Sequence, residues 1–75
     1  MSPEQIRARL LENFPDSQVE VRDMTGTEDH YEVAVTSSRF AGLSRIDQHK
    51  VVMAAFDAEL KTGEVHALTI RTKTP

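Results

Sequence analysis

The chain has 75 residues, no cysteine and a formal net charge of −3. That length bounds it to one domain with a small core. The missing thiols exclude disulfides and cysteine-based metal sites within this sequence, and the mixed-sign charge predicts no general attraction to nucleic acid or anionic membrane. The opening MSPEQIRARLL carries charge early and lacks a signal-peptide core. No stretch approaches the roughly 18 apolar residues that span a bilayer, so no membrane partner and a cytoplasmic location are expected, in keeping with the absent cysteines.

In chain order, Ser2-Pro3-Glu4-Gln5 predicts a helix start, with Ser2 as cap, Pro3 at the first position and Gln5 closing a capping box. Ile6, Leu10, Leu11 and Phe14 form an apolar stripe at helical spacing. Arg7, Arg9 and Glu12 are expected to face away, and Pro15 stops the helix near Asn13. Val19 and Val21 alternate with polar residues as in a half-buried strand. Thr25-Gly26-Thr27-Glu28 reads as a turn. Tyr31, Val33 and Val35 predict a second strand, antiparallel to the first across so short a loop.

Ser37-Ser38 punctuates the chain, and Arg39-Phe40-Ala41 predicts one helical turn stopped at Gly42. Ser44 caps a longer helix in which Ile46, His49, Met53, Phe56 and Leu60 are expected on one buried stripe, joined by Val52. Lys61 and Gly63 mark its end. A last strand is predicted from about Val65 to Thr72. The order αββααβ implies an α+β fold: a three-stranded mixed sheet with helices packed on one face. The helical connection between the second and third strands allows those two to run parallel. Strand order is left open by the sequence.

Several residues could carry chemistry. His66 near the start of the last strand reads from its surroundings as a partly buried edge residue, since one histidine is poor evidence for metal. His30 reads as a polar residue on the solvent face of a strand. His49 lies on or beside the buried stripe and reads as structural. Arg39, Arg45, Lys50, Arg71 and Lys73 could form a local basic face. Segment 38–61, with FAGLS between a short and a long helix, looks like a helix-turn-helix. Residues 44–61 carry balanced charge, and Gly42 has no second glycine three residues away, which argues against KH-type RNA binding. No nucleophile–base pair, compelling carboxylate pair or phosphate loop stands in the sequence, so no enzymatic role is expected.

Two longer pieces, DHYEVAVTSSRFAGLSRIDQHKVV (29–52) and VHALTIRTKTP (65–75), carry a resemblance. An aromatic strand runs into a turn of the form Ser-any-Phe-any-Gly, then a helix with a central histidine, then a segment opening on His-Ala. The chain thereby resembles BolA-like proteins over nearly its whole length, as one domain spanning 1–75. The resemblance implies a fold similar to a type II KH domain. It also implies a monothiol glutaredoxin partner with which a [2Fe–2S] cluster is shared. His66 then corresponds to the family's cluster-ligand histidine. The remaining ligands would come mainly from glutaredoxin and its glutathione, with no cluster on the isolated, monomeric chain. The family's second ligand, Cys or His, comes from the loop before the second strand. Here that loop holds no Cys, Thr27 stands near the usual position, and His30 is the substitute. DNA-binding transcriptional regulation through segment 38–61 is the alternative, with weak DNA binding expected.

Overall fold

The computed structural model describes residues 1–26 and 30–75. Helix α1 spans Pro3–Asn13, strand β1 Gln18–Asp23 and strand β2 His30–Thr36. A single 3₁₀ turn, Ser38–Phe40, leads to helices α2 (Arg45–Ala54) and α3 (Asp57–Thr62), and strand β3 (Ala67–Lys73) ends the fold. The expected turn at 25–28 falls partly outside the described residues, which exclude Thr27, Glu28 and Asp29.

The capping box at Ser2 forms as its sequence requires: the Gln5 N–H donates to Ser2 Oγ at 3.2 Å, and the Ser2 N–H donates to Gln5 Oε1 at 2.8 Å. Ser44 accepts from the Asp47 N–H at 3.1 Å and so starts α2. The strands lie in the order β1-β2-β3. β1 and β2 are antiparallel with Val21 opposite Val33, while β2 and β3 are parallel with Val33 opposite Ile70. This is the α+β, mixed three-stranded architecture that the periodicity predicts, and it settles the strand order.

One sheet face carries Val19, Tyr31, Val33, Val35 and Ile70 and is buried against Ile6, Leu10 and Phe14 of α1, Phe40 of the 3₁₀ turn, and Val52 and Phe56. Phe14 and Phe40 meet with ring centroids 5.3 Å apart, so the turn after β2 closes the core beside the end of α1. Leu68 packs against this cluster from a half-buried position. Gln48 ties the crossover together, donating to the Leu43 carbonyl at 3.0 Å and pairing its Oε1 with the Thr72 hydroxyl.

Four expectations are corrected. The long helix is two helices, broken at Ala55-Phe56, where the Ala55 and Phe56 N–H groups bond three residues back, to the Val52 and Met53 carbonyls. Ile46 and Met53 are not core residues: they are 68% and 44% exposed. Val52 and Phe56, expected on the same stripe, are buried as expected, and the helix is set so that Ile46 and Met53 lie outward. The last strand starts at Ala67, leaving Val65 buried and His66 exposed in the segment before it. Arg7 and Arg9 do not simply face solvent. Arg7 donates to the Val19 carbonyl at 2.6 Å, and Arg9 reaches the helix break. Arg9 also pairs with Glu59.

Candidate functional site

The parallel register of β2 and β3 sets Ala67 opposite His30. His30 is the first residue of β2, not a loop residue, and its carbonyl accepts from the Met24 N–H at 2.8 Å. Its side chain is half-buried on the sheet face opposite the core, in the alternation that puts Tyr31, Val33 and Val35 inward. Next door, Tyr31 anchors the strand by burying its ring and donating its hydroxyl to the Met1 carbonyl.

His66 precedes β3 by one residue, after the turn that ends α3. Gly63 closes that helix with φ 83°, a left-handed conformation that suits glycine, and its N–H donates to the Glu59 carbonyl. The His66 ring lies over this glycine: a Cβ there would stand 3.7 Å from His66 Cδ2 and 3.8 Å from Nε2. The two imidazoles meet edge to face, centroids 5.7 Å apart at an interplanar angle of 83°. Two residues 36 positions apart in sequence thus share one corner of the sheet, brought there by the β2–β3 register and the turn that precedes β3.

This pair fits metal ligation in part. Imidazole nitrogens bind a metal at about 2.0–2.1 Å, and the two rings stand at one corner with their centroids 5.7 Å apart. Among the described residues no group of three or more His, Cys, Asp or Glu side chains is placed to hold a metal. Among the described residues this corner therefore offers two nitrogen donors, and a metal held there would need further ligands. Thr27 lies outside the described residues.

The five basic residues do not assemble. Arg39 is engaged, with its guanidinium 5.2 Å from the Phe14 ring centroid and Nη1 donating to the Asn13 carbonyl, where it closes the end of α1. Arg45 and Lys50 are exposed on α2, which packs on the covered face of the sheet. Arg71 and Lys73 share the open face through their registers with Ala34 and Thr36, and Arg71 Nε lies 3.9 Å from Glu32. The element before Gly42 is the single helical turn expected, a three-residue 3₁₀ turn, which is too short to serve as the first helix of a helix-turn-helix. His49 is half-buried on α2, in line with a structural role.

Sequence reasoning missed the ion pair that holds the helix break. Arg9 Nη1 donates to the Ala55 carbonyl at 2.8 Å and to Glu59 Oε1 at 2.8 Å, while Nη2 reaches Oε2 at 3.1 Å. Its guanidinium sits 5.6 Å from the centroid of the Phe56 ring. The hydrogen bond from Arg9 holds the Glu59 carboxyl below the ordinary glutamate value against an opposing effect of burial, and the same bond raises the Arg9 pKa. No periodicity signals a contact between residues 50 positions apart.

Comparison with known proteins agrees with this architecture. The family model described as BolA-like protein matches residues 5–75. BolA-like protein 1 of Homo sapiens is 43% identical over 77 residues, covering 93% of this chain; the chain spans 56% of that relative's length. The BolA domain of SufE1 from Arabidopsis thaliana superposes with a TM-score of 0.87 at 30% identity, covering 97% of this chain and 91% of that one. Yeast Fra2 superposes with a TM-score of 0.80 at 25% identity, covering 99% and 80% respectively. With the matched model running through the sheet, the helices on its covered face and the histidine corner, the chain belongs to the BolA-like protein family.

Proposed function

We propose that the chain is a non-catalytic adaptor that binds a monothiol glutaredoxin and shares a [2Fe–2S] cluster with it, in cytoplasmic iron–sulfur trafficking or iron and redox regulation. The observation that carries this reading is the edge-to-face pair of His30 and His66, 5.7 Å apart at the exposed corner of the sheet. Family membership supports the same role. Two imidazoles can complete one iron of such a cluster, and histidine in place of thiolate raises its potential. The second iron would be held by the partner's thiolate and glutathione. His66 is the principal ligand because it is exposed, while His30 is half-buried within a strand. Ligation requires unprotonated imidazole, so acidification weakens the shared site.

The alternative of DNA-binding regulation loses support from the geometry. Arg39 is engaged with α1, and Arg45 and Lys50 lie on the other side of the sheet from Arg71 and Lys73. Any DNA binding is expected in the nonspecific range, with Kd of about 10⁻⁴–10⁻⁶ M at physiological salt.

The test is the visible absorption and circular dichroism of a cluster-loaded monothiol glutaredoxin mixed with the parent chain, His66→Ala or His30→Ala. The parent should change the cluster spectrum, His66→Ala should abolish that change, and His30→Ala should reduce it. Thermal melts of both variants should match the parent, because Val65, Leu68 and Ile70 still anchor the last strand. A folded His66→Ala chain that perturbs the spectrum as the parent does would refute the assignment.

A further inference from the structure

We propose that Arg9 of α1 is a positioning residue for His66, acting through Glu59 and the backbone of the Gly63–Val65 turn. The cluster-binding consequence rests on the proposed role of His66; the positioning itself does not.

α3 cannot hold its own place. It has six residues, no side-chain cap at its start and no buried residue, with half-buried Leu60 as its contact to the core. A helix this short is unstable without outside contacts. Arg9 supplies them at two points. It takes the Ala55 carbonyl left free at the break, and it grips both oxygens of the Glu59 carboxylate. Fork-to-fork pairing fixes orientation as well as distance.

From Glu59 the constraint passes to the backbone. The Glu59 carbonyl accepts two N–H groups, from Gly63 at 3.1 Å and from Val65 at 3.2 Å. These bonds set the turn on which the imidazole rests, since the His66 ring lies within van der Waals contact of a Cβ-sized space at Gly63. His66 is outside the sheet ladder, which begins at Ala67, so ladder bonds hold it from one side only. The other side is held by the turn, and through it by α3 and Arg9. His30 has no such dependence, because its backbone is fixed by β2. Releasing α3 therefore moves one imidazole of the pair and leaves the other in place.

The test uses isotope-labelled chain without partner. Amide hydrogen exchange is measured at Gly63 and Val65, together with ring-to-ring contacts between His30 and His66 by nuclear magnetic resonance. Arg9→Gln and, separately, Glu59→Gln should speed exchange at both amides by roughly tenfold, the scale expected on losing a hydrogen bond to a charged group. Each should also weaken the contact between the imidazoles while β2 amides stay protected. Arg9→Lys should restore part of both signals. Arg7→Gln is the control for a merely structural loss: it removes a bond from the same helix to β1 and should leave Gly63, Val65 and the ring contact unchanged.

The proposal is overturned if Arg9→Gln and Glu59→Gln move these signals no more than Arg7→Gln does. Should Arg9→Gln fail to fold, Glu59→Gln decides alone, because it keeps the backbone carbonyl and removes only the ionic grip. Rings that separate in these variants, alongside a His66→Ala chain that still perturbs a cluster-loaded glutaredoxin, would uphold the positioning and refute the cluster reading.

Discussion

α1 and the α2–α3 segment are built from similar ingredients and end differently. In α1 the apolar residues Ile6 and Leu10 are buried, and a side-chain cap at one end and Phe14 with Pro15 at the other define a single helix. In α2 the apolar residues point two ways: Val52 inward, Ile46 and Met53 outward. The run then breaks at Ala55-Phe56 so that Phe56 can enter the core and α3 can turn toward the histidine corner. A lone apolar stripe determines how a helix sits. Two overlapping stripes leave the choice to the surface that receives them, here the β2–β3 face and the Arg9 grip.

The sharpest break in that comparison is Phe56→Ala. Phe56 is fully buried at the junction of both helices, and truncation of a buried phenylalanine costs about 3–5 kcal/mol. In a domain of this size that loss should bring melting close to or below room temperature. Unchanged thermal melting would show that the junction does not anchor the helical layer.

A second test addresses the ionic grip by pH. Glu59 has its pKa lowered in the folded chain, first by the hydrogen bond from Arg9. Its contribution is therefore fully present above the ordinary glutamate value of 4.5 and disappears as pH falls through the lowered value. Glu59→Gln should melt below the parent at neutral pH, and the gap should close on acidification across that window. A gap that is constant with pH would mean that the carboxylate charge contributes nothing to stability.

The smallest effect is expected on the outward stripe. Ile46→Gln and Met53→Gln should each change stability by no more than about 0.5 kcal/mol, as for surface positions without special contacts. Denaturant melts would measure it. A loss of the size expected for a buried side chain would restore the single-stripe reading of the helix and contradict the observed rotation.

What could be read directly from the residues was local or strictly periodic. Ser2 through Gln5 specify a capping box by chemistry that needs no tertiary partner, and Pro15 and Gly63 stop helices for reasons of backbone geometry. The alternation of Tyr31, Val33 and Val35 fixes which face of β2 is buried, because side chains on a strand alternate whatever lies beyond it. The motif around Phe40 and the His66-Ala67 pair sufficed to indicate the family. The tertiary structure decided everything that depends on distant surfaces. It chose Val52 over Ile46 and Met53, since only the receiving sheet face distinguishes two equally apolar stripes. It separated Arg39, Arg45 and Lys50 around the Gly42 turn from Arg71 and Lys73 of the last strand, which the sequence allowed to form one basic face. It brought Arg9 to Glu59, and His30 to His66, because a parallel register and a crossover join residues that no local period relates.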